Sequence, residues 1–503
     1  MDRLPQEIIN LIVFFLSCKP YTGRVPRNGR LPRAQYATIS NKFHAAIERC
    51  TFKFLRIKSD ELKTFAQYLK PCRQGFLRTL FYYIILPEID TAVSERFERP
   101  SETEAVSKLF SHHVKDLFDT LHRLNGLSGI CLYIKDVNKK GLGSSRRMRS
   151  RINLFDPEAL PQLKCISRLL TGIWNCTPAP GISVDLAARM PGLASLDLGV
   201  DSGDIRYPGL LREDRHSLAT MLKLRSDETK TVSEARLGMS MDGHVINQML
   251  PMPNLTYPLG HDPLGSSLRI WSQRLITFSF RGVIDETLFW PHALETETAT
   301  LKWPNLEHFK VWPERHTPSG WWYFMPKGNP NYGTRPRDPA EDPDDLPPPF
   351  TDNPTYGADP IDPEERNWDY QNMDLPRSQL LTRTVPNEDT MQPLVEGWAK
   401  ALQCTPSLRY ALLFFNIESY LYDDPDNEFM NWEIMYEEPD SHISPWKNLR
   451  DAEWSSRRLI FRGTGGWRPN NDTMDLLQRI GEDSYPGTKM VVLDIGRMLE
   501  VIR

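Results

Sequence analysis

Cysteine is scarce and poorly placed for bonding. The 503-residue chain has seven, Cys18, Cys50, Cys72, Cys131, Cys165, Cys176 and Cys404, an odd number with no CxxC pair and no zinc-ligand grouping. That excludes a disulfide-stapled scaffold or a cysteine-built metal site, and it points to a reducing intracellular compartment, cytoplasm or nucleus. Long apolar runs are missing too. The most apolar stretch near the start, residues 8–16, is interrupted by Asn10 and falls well short of the roughly 20 residues a membrane helix needs, so neither a membrane partner nor a secretion signal is expected. Neither sign of charge dominates: 61 basic residues face 65 acidic ones, a net charge of −4, which leaves no global field to recruit nucleic acid. Glycine is short relative to proline, 29 against 41, the inverse of ordinary usage.

Local catalytic signatures are absent as well. No Gly-x-Ser-x-Gly elbow, His-Glu-x-x-His pair or Rossmann fingerprint occurs, and the glycines at 463–466 lack the Lys-Ser/Thr ending of a phosphate loop, so they read as a turn. His112, His113 and His122 share one helical stretch but point in different directions, because adjacent helical side chains diverge by about 100°. No catalytic residue, metal site or cofactor is expected. An α/β enzyme whose site is assembled from distant residues would leave no local trace and stands as the weakest of three readings.

What is present suffices for a large core: 40% of residues are apolar and 25% charged. The length corresponds to roughly three ordinary domains. Leu4-Pro5-Gln6-Glu7-Ile8 sets proline at the opening of a helix, with an acidic residue behind it to complement the helix dipole. Leu4, Ile8, Leu11, Ile12, Phe15 and Leu16 then form an apolar face too wide for a small bundle to cover. After an Arg/Pro-rich interruption, residues 34–49 are helical again through Ile39, Phe43, Ala46 and Ile47. A helical head of about fifty residues, 1–50, follows from this.

Beyond it one pattern keeps returning: apolar, two others, apolar, one other, apolar. It falls at Leu77/Leu80/Tyr82, Leu127/Ile130/Leu132, Leu193/Leu196/Leu198 and Leu275/Phe278/Phe280, then at Leu306/Phe309/Val311, Leu408/Ala411/Leu413 and Leu449/Ala452/Trp454. Residues two apart on a strand share a face, so the last two members point into a core and the first closes the turn before it. Pro191, Pro304 and Pro406 stand just before three of the sets and stop whatever precedes them. Amphipathic stretches at 106–124, 159–174, 182–190 and 392–404 supply helices between the strands. The expected body, 51–503, is an α/β structure: an irregular leucine-rich-repeat-like βα solenoid with long loop insertions. One insertion, at about 326–365, carries a proline at roughly every fourth position and is expected to be an exposed loop. A second, 423–440, reads as a surface loop lying back on the protein through Phe429, Trp432 and Tyr436.

The head resembles an F-box. Leu4-Pro5-Gln6-Glu7-Ile8 with Ile12 and Leu16 matches the opening helix of that family, and Ser40-Asn41-Lys42-Phe43 with Ala45-Ala46-Ile47 matches its second half. Phe43 stands where the family more often has Trp, and the 19–33 interruption is longer than the family's linker. Segments of the body, among them 51–58, 116–121 and Trp303-Pro304-Asn305-Leu306, are similar to filamentous-fungal F-box proteins. The resemblance implies a non-catalytic substrate receptor of a Skp–cullin–F-box ubiquitin ligase. Leu4, Pro5, Ile8, Ile12, Leu16, Ile39 and Phe43 would meet the Skp adaptor, and through it a cullin; the body would hold an unidentified target protein for ubiquitination. An F-box scaffold acting outside ubiquitination is the alternative. Trp312, Trp321, Trp322 and Tyr323, beside the Pro-rich insertion, form the aromatic patch expected to contribute to target binding. Arg146, Arg147, Arg149 and Arg151 make a basic cluster that reads as a solvated loop, with a nuclear-localisation role as the alternative.

Overall fold

The computed structural model describes residues 4–17, 34–87, 99–138, 151–172, 178–201, 208–240, 248, 251–293, 295, 301–326, 336, 383–417, 430–441 and 454–495. It is a mixed α/β protein with a large, mostly parallel sheet and ten α-helices among the described residues. The chain begins with two helices, α1 (Gln6–Ser17) and α2 (Asn41–Lys53). α2 runs into β1 (Phe54–Lys58), the first of twelve strands in one sheet. There follow β2 (Thr79–Leu86), β3 (Ile130–Asn138), β4 (Ile166–Thr171), β5 (Ser195–Asp201), β6 (Glu234–Ser240), β7 (Thr277–Gly282) and β8 (His308–Pro313). A small two-stranded ribbon, β9 (Phe324–Pro326) with β10 (Arg383–Pro386), stands apart. The sheet resumes with β11 (Tyr410–Ile417), β12 (Met430–Glu437), β13 (Arg457–Arg462) and β14 (Met490–Ile495).

Strand order in the large sheet follows chain order, each strand hydrogen-bonded to the one before, with β8 paired directly to β11. Only β12 runs against its neighbours. Between strands lie α3 (Leu62–Tyr68), α4 (Pro71–Gln74), α5 (Pro100–Arg123), α6 (Ile182–Ala188), α7 (Pro208–Leu224), α8 (Pro263–Ser272), α9 (Glu388–Gln403) and α10 (Asn471–Gln478). They pack on one face of the sheet, where a single core collects residues from almost every element. The strands accordingly alternate, buried Leu80, Tyr82, Ile84 and Leu86 in β2 being separated by half-buried Phe81, Tyr83 and Ile85. Parallel strands covered on both faces would read as continuous apolar runs; β2 does not, because helices cover one side of it, whereas β11 and β13 are buried over most of both faces.

Six of the seven apolar triads lie where their spacing puts them. All eighteen side chains from Leu77 to Leu413 are at most 8% exposed, the last two of each triad on a strand and the first in the turn entering it. The seventh fails: Leu449 and Ala452 lie outside the described residues, and Trp454 precedes β13 rather than sitting in a strand.

Three further expectations are corrected. Of the stretch 159–174, the described part to residue 172 is not a helix but a turn followed by β4. Leu160, Leu163, Ile166 and Leu169 recur every three residues and imitate a helical face, yet all four are buried because turn and strand both face the core. Residues 423–440 are not a loop throughout: Met430–Glu437 is β12, with Trp432 and Tyr436 in the core. The second head helix is broken, a 3-10 turn over Ala34–Thr38 preceding α2, because the Ser40 hydroxyl accepts from the Phe43 N–H at 3.3 Å and caps a new start. The 326–365 insertion lies outside the described residues apart from Pro326 and Pro336.

Candidate functional site

α1 carries two apolar stripes. Ile9 and Val13, 0% and 1% exposed, pack against Phe43, Ala46 and Ile47 of α2 and make the core of the head. The other stripe, Leu4, Ile8 and Leu11 at i, i+4 and i+7, is 37%, 42% and 51% exposed, with Pro5 at its start; Ile39, on the approach to α2, is 44% exposed. Polar contacts fix the two helices: Lys42 Nζ donates to the Leu4 carbonyl at 2.8 Å, and Gln6 Nε2 donates to the Lys42 carbonyl at 3.1 Å. The head is tied to the body by Arg73, whose Nε donates to Glu48 at 2.7 Å while its guanidinium lies 4.7 Å from the Phe52 ring centre.

Of the seven expected adaptor-contacting residues, Leu4, Pro5 and Ile8 are exposed at the start of α1, Ile12 is half-buried against the head core, and Ile39 is exposed just before α2. Phe43 is corrected: at 3% exposed it is the pin between the helices, not part of the outward face. The Leu16 side chain lies outside the described residues. Ile9 and Val13 were missed as the inward stripe; their signal was the i, i+4 spacing opposite Leu4 and Ile8.

The expected aromatic patch does not form one surface. Trp322 and Tyr323 are 1% and 0% exposed. The Tyr323 hydroxyl donates to the Ile284 carbonyl at 2.7 Å, and the Arg383 guanidinium stacks 4.8 Å from the Trp322 ring centre. Both belong to the core, leaving Trp321, 42% exposed, on its own. Trp312 is half-buried on the opposite, helix-free face of the sheet, against a small cluster of Tyr410, Leu412, Met435 and Ile460. The basic cluster also changes character at its end. Residues 146–149 lie outside the described residues, whereas Arg151 is half-buried and donates through Nε to Asp214 at 2.9 Å, with a second bond from Nη2.

The most perturbed titratable groups lie in the body. Asp285 caps the turn Glu286–Leu288, accepting from the Thr287 N–H at 3.0 Å and hydroxyl at 2.5 Å. Burial, reinforced by Asp262 and Glu286, pushes its carboxyl up to about 8. Asp262 in turn caps α8 and takes two bonds from Arg215, at 2.6 and 3.2 Å. Burial, with Arg215 nearby, pushes His316 down to about 3. The two aspartates each cap a helical turn, and Arg215 also binds the Val283 carbonyl at 2.9 Å, so the cluster ties α7, α8 and the turn after β7 together. Among the described residues no group of His, Cys, Asp and Glu is placed to hold a metal ion, and no helix is long and apolar enough to cross a membrane. Comparison with family models, with curated proteins and with solved structures finds no match to the chain.

Proposed function

We propose that the chain is the substrate receptor of a Skp–cullin–F-box ubiquitin ligase, working in the cytoplasm or nucleus, with the head as its F-box and the body as a degenerate leucine-rich-repeat-like βα solenoid that holds a target protein. The observation that carries the reading is the outward stripe of Leu4, Ile8 and Leu11 along α1, whose opposite side already packs on α2 through Ile9, Val13 and Phe43, together with exposed Ile39 just before α2. Apolar anchors at i, i+4 and i+7 on an exposed helix are the pattern by which a helix fills a groove on a partner. Exposing three large apolar side chains in a row along one helix has no benefit to an isolated chain and a clear one to a bound chain. The solenoid reading rests on strand order following chain order and on the buried triads.

The test is co-purification of the full chain with a Skp adaptor and a cullin. The wild-type chain is expected to co-elute with both, and the variant with Leu4, Pro5 and Ile8 replaced by alanine to lose both. A wild-type chain that holds no adaptor overturns the proposal; adaptor retained without cullin leaves a scaffold outside ubiquitination.

A further inference from the structure

The helix-free face of the sheet is divided by chemistry. Over β11–β13 it is buried, with Tyr410, Leu412, Met435 and Ile460 flanked by the ion pairs Glu437–Arg458 and Glu433–Arg462, so its charges are paired. Over β6–β8 it is cationic. Arg236 of β6 and Arg281 of β7 are exposed, and Lys310 of β8 is half-buried with its ammonium 5.0 Å from the Tyr410 ring centre. Among the described residues none of the three has a carboxylate within 4 Å: Asp197 of β5, which stands in register with Arg236 on this face, reaches Arg168 of β4 at 4.0 Å. Burial and the neighbouring Arg236 both depress the Lys310 ammonium, which is what crowding of like charge does. Glu234 is the one carboxylate on this face of β6–β8. Beside Arg236 and Arg281 the floor is bare backbone: Gly199 and Gly238 pair in register, and a Cβ on Gly238 would meet nothing nearer than the Leu198 carbonyl oxygen at 3.7 Å. Two adjacent glycines let another backbone approach closely.

We infer that this face binds an acidic, extended peptide segment, its backbone passing over Gly199 and Gly238 and its carboxylates meeting Arg236, Arg281 and Lys310. Register puts Ser279, a small residue, between Arg236 and Lys310. Strands lie about 4.8 Å apart, so the two cations are rooted about 10 Å from each other across the sheet. An extended peptide advances about 3.3 Å per residue, so acidic residues three apart match that spacing. The target class this adds to the receptor reading rests on that reading for its biological role, but the binding itself does not.

The experiment therefore uses the purified full chain without adaptor, and a fluorescent peptide of repeated Asp-Gly-Ser, read by anisotropy. Binding is expected, weakening as salt rises, with an Asn-Gly-Ser peptide bound about tenfold or more weakly and R236E/R281E reducing affinity for the acidic peptide by a similar factor. Both arginines are exposed, and R236Q/R281Q, expected to give a smaller loss in the same direction, covers a failure of the charge-reversed variant to fold. Equal binding of the two peptides, no effect of either variant on a folded chain, or tighter binding of oligothymidylate than of the acidic peptide overturns the inference. So does binding that appears only after deletion of 338–374, an acidic stretch of this chain, since the face would then be occupied from within. None of these outcomes touches adaptor binding, so failure here and failure of the receptor reading are separable.

Discussion

Head and body handle apolar surface in opposite ways. The body buries one continuous core from Ile57 to Ile480 and presents cations on its helix-free side over β6–β8, while the head, among the described residues, buries five and leaves four large apolar ones outside. The head meets the body through Arg73 and Glu48 and leaves Leu4, Ile8 and Leu11 outside its own core. Stability lives in one region and exposed adhesiveness in the other, and substitutions can test that division.

The largest effect belongs to the body. Phe309 sits within 5.7 Å, ring centre to ring centre, of both Phe278 and Phe289, and Phe309→Ala is expected to cost about 3–5 kcal/mol in denaturant unfolding of the whole chain. Phe43→Ala removes the pin of the head and is expected to open it to proteolysis around Lys42 and Lys53 while the sheet's transition stays put. If Phe43→Ala lowers both together, head and body are one cooperative unit and the comparison breaks. Next comes Ile8→Ala, which is expected to leave stability within about 0.5 kcal/mol but to weaken adaptor binding by about 2 kcal/mol, measured by calorimetry.

A pH effect sharpens the picture within the body. Asp285 holds its proton more tightly folded, at about 8, than at its ordinary 3.8, so the folded state carries the extra proton between those values and loses stability as pH rises through them. His316, pushed to about 3 from 6.5, acts the other way and costs stability as pH falls below 6.5. The two slopes oppose each other from about 4 to 6.5, and the net loss appears from 6.5 to 8. Asp285→Asn keeps an oxygen for the Thr287 cap and removes the titration. Its stability is expected to stay level over that upper window, where the natural chain loses on the order of 1–2 kcal/mol. Smallest is Arg73→Ala: the pair with Glu48 is partly exposed, and its loss is expected to cost under about 1 kcal/mol and to show mainly as faster amide exchange in α2.

Much of the body was legible because the triads need only one turn and one strand to bury their residues, information held within six neighbouring positions. β12 was not, and its reason is electrostatic. Glu433 and Glu437 look like loop residues until register sets Glu433 opposite Arg462 and Glu437 opposite Arg458, the latter pair fully buried at 3.0 Å. Partners on another strand leave no local pattern. Arg151 misled for the same reason, since Asp214 lies 63 residues away. In the head, the two-striped helix was visible in composition, but which stripe α2 covers depends on where Ser40 starts that helix. One cation of the open face was legible in principle, because the residue between the last two members of each triad must point away from the core and Lys310 stands between Phe309 and Val311; Arg236 and Arg281 lie outside the triads.

Strand order that repeats chain order also bears on how the chain tolerates change. Each strand finds its partner next in line, and β8 pairs with β11 in unbroken register although His308 and Tyr410 are about a hundred positions apart along the chain. Closing a loop costs free energy only as the logarithm of its length, about 0.6 kcal/mol per doubling. Such a ladder can accept a new segment at any of its turns and still zip shut on both sides of it, so lineages of this chain are free to diverge in the length of what they insert while keeping the same rungs.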